Sequence, residues 1–138
     1  MGPALQEVYF VQGALTGLIK IGVSSRTLIR IAALATTSPD RLTVLGVLPC
    51  WDHGRTEQKI HEYFDGLRVH GEWFSPAPGL TRWIEKNAME NWRRIGRLQR
   101  ICDNPGIYRG RRRKLPEKFS NADRKPLTLL SSSDEQNI

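Results

Sequence analysis

The alternation of apolar and polar residues near the N-terminus predicts two short strands. Residues 7 to 11 and 18 to 23 are β-branched or aromatic runs on either side of a glycine-containing segment. Runs of this kind, joined by more than two residues, are typical of a β-hairpin with a long turn. Each strand also carries a polar side chain among the apolar ones, Tyr9 in the first and Lys20 in the second. An ordinary hairpin does not require these two side chains.

The next segment has the period of an amphipathic helix. Within residues 26 to 35 the apolar side chains recur every three or four positions, whereas Arg26 and Arg30 lie one turn apart on the opposite side. We therefore expect both arginines to face a groove. Residues 42 to 48 then form a continuous apolar run of strand length, which predicts a buried third strand.

A second helix is predicted for residues 53 to 67, where the apolar edge again has helical spacing. Glu57 and His61 lie one turn apart in it and therefore share a face. Residues 71 to 79 contain glycine and proline at the positions typical of turns.

A longer helix is predicted for residues 80 to 101. At 100° per residue its apolar side chains form one stripe and its basic side chains form another, with no acidic residue on the basic stripe. We therefore expect this helix to pack with one face and to present cations with the other. The apolar stripe is Ile84, Ala88, Trp92, Ile95, Leu98 and Cys102, and the basic stripe is Arg82, Lys86, Arg93, Arg97 and Arg100.

Together these elements predict an α/β (α+β) fold with a small, mainly antiparallel three-stranded sheet flanked by helices, in the order β-β-α-β-α-α. A chain of 138 residues suits one domain with an extension. The expected division is a flexible N-terminus at residues 1–5, the main domain at 6–81 and a basic amphipathic helix at 82–102. Residues 103–138 have too little apolar content to fold alone, and we expect a basic, largely disordered tail there.

The net charge of +7 lies entirely in the C-terminal part of the chain. Residues 1 to 81 contain seven basic and seven acidic residues, whereas residues 82 to 138 contain fourteen basic and seven acidic residues. This asymmetry suggests a polyanionic partner, which could be a nucleic acid or an acidic membrane surface. No apolar run approaches the roughly 20 residues that span a bilayer, and no secretory signal is recognisable, so we expect a cytoplasmic protein.

The two cysteines carry little information about function. Cys50 and Cys102 are far apart and form no CxxC pair. This spacing argues against a disulfide framework and against a cysteine-rich zinc site.

Five elements, taken in order, resemble the GIY-YIG nuclease superfamily. EVY at residues 7 to 9 and KIG at residues 20 to 22 stand where that superfamily has its two triplets. Arg30 matches the arginine of the following helix, and the ExxxHxxF pattern at residues 57 to 64 resembles the metal-binding helix. GEWF at residues 71 to 74 completes the pattern of the subgroup whose second triplet is KIG. The resemblance covers residues 6 to 81.

Two positions depart from the superfamily pattern. Glu7 stands in place of the first glycine, and Lys20 in place of the second tyrosine. The second change is shared with the KIG subgroup and keeps a side chain that can handle a proton or contact a phosphate. A literal GIY also occurs at residues 106 to 108, but no second strand and no helix with Arg and Glu follow it.

The resemblance implies metal-dependent hydrolysis of DNA phosphodiester bonds. In this interpretation Tyr9 is the general base, and a nearby cation such as Lys20 favours its ionised form. Arg30 contacts the scissile phosphate through its planar guanidinium. Glu57 is the carboxylate ligand of one Mg²⁺ or Mn²⁺ ion. His61, on the same helical face as Glu57, orients a water molecule or a phosphate.

DNA is therefore the expected partner, with RNA as a second option and no membrane. Two alternatives remain open. One is a catalytically inactive nucleic-acid-binding module on the same fold, and the other is a basic membrane-surface or RNA-binding protein in which the five-element match is coincidental. The residues expected to bind nucleic acid are Arg26, Arg82, Lys86, Arg93, Arg97 and Arg100.

Overall fold

The computed structural model describes residues 5–106. The expected flexible N-terminus and basic tail fall almost wholly outside these residues. Between residues 5 and 106, no helix is both long enough and apolar enough to cross a membrane. The elements along the chain are β1 (Gln6–Gly13), β2 (Ile19–Ser24), α1 (Thr27–Thr37), β3 (Leu42–Cys50), α2 (Arg55–Tyr63), β4 (Arg68–His70), β5 (Trp73–Phe74), α3 (Pro78–Asn87) and α4 (Trp92–Asp103).

The α+β class is confirmed, but the prediction of a three-stranded sheet is wrong. The sheet has five antiparallel strands in the order β3-β1-β2-β5-β4. The three expected strands do pair through the central β1, and β5 and β4 extend the sheet beyond β2. The strand β5 has only two residues and β4 only three, too few to show the alternation by which a strand is recognised in a sequence. The segment expected to be a turn therefore supplies β5.

Helices cover both faces of the sheet. Successive residues of the interior strand β1 point to opposite faces, and from Val8 to Val11 the side chains on both faces are buried. One face packs against α2 and α3, which we call the α2–α3 layer, and the other against α1 and α4, the α1–α4 layer. The first core contains Val8, Phe10, Ile19, Ile21, Ile60, Phe64, Phe74, Leu80 and Ile84, and the second contains Tyr9, Val11, Ile31, Leu42, Val44, Val47 and Leu98.

The prediction of one helix over residues 80 to 101 is also wrong. The chain forms two helices, and the segment between them passes the edge strand β3, where the backbone N–H of Val47 donates to the carbonyl of Ala88 at 2.9 Å. Asn91 then starts α4, because its side chain accepts a hydrogen bond from the backbone N–H of Arg94 at 3.2 Å. Trp92, expected on the apolar stripe, is 68% exposed.

This break places the two halves of the expected basic stripe in different layers. Arg82 and Lys86 lie on α3, in the α2–α3 layer, because Leu80 and Ile84 bind that helix to the first core. Arg93, Arg97 and Arg100 lie on α4, which Leu98 binds to the second core on the other side of the sheet. The single stripe of five cations predicted from the sequence does not exist.

Candidate active site

The predicted site residues gather at the edge of β2, next to the end of β5. The strand β5 pairs with β2 only at Ile19 and Lys20, after which the N–H of Ile21 donates to the carbonyl of Glu72 at 3.0 Å. The helix α2 reaches the same edge, where the Nε2 atom of His61 lies 2.8 Å from the carbonyl oxygen of Ile21. Side chains from the two layers can therefore meet around this edge of the sheet.

Tyr9 lies in the middle of β1 with its ring over Gly22. The two residues are paired in register, and a Cβ atom at position 22 would lie 2.5 Å from the Cζ atom of the tyrosine. The hydroxyl is 3.5 Å from the Nε atom of Arg30, which α1 presents from above. This hydrogen bond is the main reason why the pKa of Arg30 is raised. Tyr9 is only 1% exposed whereas Arg30 is exposed, so the guanidinium covers the hydroxyl.

Lys20 shares a sheet face with Tyr9. Since Tyr9 is opposite Gly22, and Lys20 lies two residues before Gly22, the two polar side chains are diagonal neighbours on one face. Their polar partners differ, however. The Nζ atom of Lys20 bonds to the carboxylate of Glu72 at 2.8 Å and lies 5.7 Å from the centre of the Trp73 ring.

Glu57 and His61 are in contact on α2. A carboxylate oxygen of Glu57 is 3.3 Å from the Nε2 atom of His61, which also lies within hydrogen-bond distance of the carbonyl of Ile21. Because a carbonyl only accepts, the Nε2 atom carries a hydrogen and donates. This hydrogen bond ties the imidazole to the edge of β2, beside the carboxylate of Glu57.

Charged side chains of both signs lie near Glu57 and affect its pKa. Burial is the largest cause of its raised pKa. His61, Lys20 and Arg68 act in the opposite direction by stabilising the ionised form, and the nearby carboxylate of Glu72 destabilises it.

Glu72 is central to the site, although it was not among the residues predicted to act there. Its carboxylate bonds to Lys20, and its charge also affects the pKa values of Glu57 and Arg30. The GEWF pattern indicated this position without assigning it a partner. Arg68 was missed entirely, because it belongs to the three-residue strand β4 and follows no recognisable pattern.

The donor groups around Glu57 fit a hard divalent cation that keeps most of its water. Within residues 5–106, no three or more His, Cys, Asp or Glu side chains converge as a closed metal site. The groups present are the half-buried carboxylate of Glu57 and the neighbouring carboxylate of Glu72, whose mutual repulsion a cation would relieve. Mg²⁺ is commonly held by one or two carboxylates, with water and phosphate oxygens completing its coordination.

A comparison with protein families places this small α+β domain in the GIY-YIG-like, nuclease-related class. The model of one protein family, described as the T5orf172 domain, matches residues 6–97, about two thirds of the chain. The chain therefore belongs to the T5orf172 domain family, whose fold is of this class and which is associated with nuclease-like or nucleic-acid-binding modules. The match extends beyond residue 81 into α4. No curated protein and no solved structure matches the chain significantly.

Proposed function

We propose that the protein is a metal-dependent endonuclease that cleaves DNA through a single-metal site of the GIY-YIG type, in its KIG-bearing form. One observation carries this proposal. A phenol, a guanidinium, an ammonium and a carboxylate from separate stretches of the chain meet at one edge of β2, linked by the contacts of Glu72 and His61.

The exposed face of the site suits a phosphodiester. Hydrolysis needs an activated water and stabilisation of the charge that builds up on the phosphoryl oxygens. Arg30 is exposed above the hydroxyl of Tyr9, so it can exchange that hydrogen bond for a bidentate contact with a phosphate. This exchange would uncover the hydroxyl of Tyr9, which is the general base in this proposal.

Glu57 would hold the metal ion, Mg²⁺ or Mn²⁺. When bound, the ion relieves negative charge on the leaving oxygen. His61 is a positioning residue in this scheme, because its Nε2–H donates to the carbonyl of Ile21 and holds the imidazole beside the carboxylate of Glu57. Glu72 holds Lys20 in place and, with its own charge, makes cation binding beside Glu57 more favourable.

The test is cleavage of a supercoiled plasmid by the purified protein with Mg²⁺ or Mn²⁺. We expect Glu57→Gln, Arg30→Ala and Tyr9→Phe each to cut at least about a hundredfold more slowly, which is the usual loss for a base or a charge-stabilising group. Glu62→Gln is the matched control, because Glu62 lies on the same helix and is exposed. Thermal unfolding curves check that every variant is folded. Equal rates for Glu57→Gln and Glu62→Gln would contradict the metal-binding role.

A catalytically inactive nucleic-acid-binding module is the second candidate. Two observations favour it: Tyr9 is almost fully buried, and Glu7 occupies the first-triplet glycine position with its carboxylate bound to Arg94. If the unmodified protein retards DNA in a gel but leaves plasmid intact with either metal ion, this second candidate replaces the first.

A further inference from the structure

The two helical layers differ in charge. The helices α1 and α4, with Arg26 at the N-terminal cap of α1, carry six arginines. Their one acidic residue is Asp103, at the C-terminal end of α4. The helices α2 and α3 carry four lysine or arginine residues and three glutamates, so their charges nearly cancel. The excess positive charge of the folded domain therefore lies on one side of the sheet.

Three of the four arginines of α4 point to solvent. Leu98 is fully buried against the sheet, and Arg93, Arg97 and Arg100 lie 100° or more around the helix from it and are exposed. Among the ion pairs of residues 5–106, none involves these three side chains. Arg94 differs, because both its Nε and Nη2 atoms donate to the carboxylate of Glu7. Three arginines of α4 are thus available to a ligand, and the fourth holds the helix in place.

The helices α1 and α4 run in the same direction, and α1 lies nearer the site. Glu7 bonds to Arg94 at the start of α4 and lies near Thr27 at the start of α1, which contributes to the lowered pKa of Glu7. At the other end, Gln99 bonds to the carbonyl of Leu42, which pairs with the last residue of β1. Both positive helix ends therefore lie at the same end of this layer. Arg30, on α1, reaches the hydroxyl of Tyr9 in the site.

We propose that the DNA strand that enters the site continues across the α1–α4 layer, with its phosphates on Arg26, Arg93, Arg97 and Arg100. This inference rests on the proposed function for the site at the edge of β2. The span from Arg93 to Arg100 is about 10 Å along the helix, enough for contacts with more than one phosphate. Arg82 and Lys86 lie on the opposite side of the sheet and do not take part.

The α2–α3 layer has a surface of different chemistry. A cavity of about 310 Å³ opens there, and its lining is almost entirely apolar. The residues that line the cavity are Leu48, Thr56, Lys59, Ile60, Tyr63, Phe64 and Trp83.

On α3, Glu85 lies next to Lys86 and one turn from Arg82, so it reduces the attraction of that helix for a polyanion.

The test compares two variants that lose the same charge from different layers. Arg93→Ala with Arg97→Ala removes two cations from α4, and Arg82→Ala with Lys86→Ala removes two from α3. Binding of a fluorescent 30-base-pair DNA duplex is measured by anisotropy over a range of salt concentrations, in EDTA so that no cleavage occurs. We expect the α4 variant to lose at least about tenfold in affinity and its slope of log K against log[salt] to become shallower by about 2. The α3 variant should stay within twofold of the unmodified protein.

Further arms separate the possible outcomes. Arg93→Lys with Arg97→Lys retains both charges and should bind within about threefold of the unmodified protein, whereas equal losses in the two alanine variants would overturn the assignment. Tighter binding to an RNA duplex or to anionic phosphatidylserine vesicles than to DNA would also overturn it. Loss of affinity confined to the α4 variant, without any plasmid cleavage, would retain this surface and reject the nuclease. Plasmid cleavage by the unmodified protein, together with equal losses of DNA affinity in the α4 and α3 alanine variants, would retain the nuclease and reject this surface.

Discussion

At the scale of single residues, the site depends on the fit between Tyr9 and Gly22. The ring occupies the space where any other residue at position 22 would have its Cβ atom. The common face of Tyr9 and Lys20 could be predicted from the sequence, because alternation along two strands places both side chains on one side of the sheet. The residue to which Lys20 bonds could not be predicted. Glu72 is 52 residues away, in the turn just before the two-residue strand β5, and no sequence pattern relates it to Lys20.

We expect Gly22→Ala to displace the phenol of Tyr9, because folded proteins do not contain Cβ contacts as short as 2.5 Å. The variant should lose about 1–3 kcal/mol of stability through overpacking, and plasmid cleavage should fall at least about tenfold. Gly79→Ala is the control, since nothing lies within 4 Å of a Cβ atom there. Thermal unfolding and the plasmid assay together measure both effects. Unchanged cleavage in Gly22→Ala would mean that the position of the phenol does not matter.

At the scale of elements, the passage of the chain around β3 determines where the cations lie. Helical periodicity continued through Ala88 and Trp92, so the sequence pattern indicated one helix. The deciding interactions are tertiary: the carbonyl of Ala88 accepts a hydrogen bond from Val47, and Gly46 leaves room for this approach. The local signal for the start of α4 is Asn91, because asparagine is a favoured N-cap residue. This signal was overlooked in the sequence.

Gly46→Ala tests this passage. Its Cβ atom would lie 2.7 Å from the carbonyl oxygen of Ala88 and 2.9 Å from the Cβ atom of Ala88. Since the first of these is a backbone atom, the helix end must move, and we expect a loss of about 1–3 kcal/mol in the free energy of unfolding. Urea unfolding followed by circular dichroism measures this loss. Gly66→Ala, where a Cβ atom meets nothing within 4 Å, should stay close to the unmodified protein; similar midpoints for both variants would contradict the tight passage.

At the scale of the whole molecule, the ion pair between Glu7 and Arg94 joins residues 87 positions apart. The side chain of Glu7 is 14% exposed. Burial alone would raise the pKa of Glu7, but the hydrogen bonds from Arg94 and Thr27 and the charge of Arg94 together lower it below the ordinary value of 4.5. The glutamate that departs from the superfamily pattern thus attaches α4 to the sheet. Sequence patterns could not pair these residues, because neither strand alternation nor helix period relates positions so far apart.

The lowered pKa of Glu7 fixes the sign of a pH effect. The ionised carboxylate stabilises the fold above its unfolded-state pKa, and this contribution disappears as the pH falls through the lower folded-state value. We therefore expect Glu7→Gln to be less stable than the unmodified protein by about 1–3 kcal/mol at pH 7. The difference should narrow below pH 4.5. Urea unfolding from pH 7 down to about pH 3 measures it; a difference independent of pH would show that the charge of Glu7 is not what matters.

The burial of Leu98 beneath α4 has a practical meaning for anyone who shortens this chain. The side chain has no exposed surface and packs in the same core as Tyr9 and Val11. A polypeptide that ended before Trp92 would keep every side chain named in the site. It would, however, expose an apolar face of the sheet next to the phenol of Tyr9. Such a fragment would self-associate and bind hydrophobic dyes. The absence of cleavage by this fragment would therefore indicate a damaged fold and not the loss of catalytic side chains.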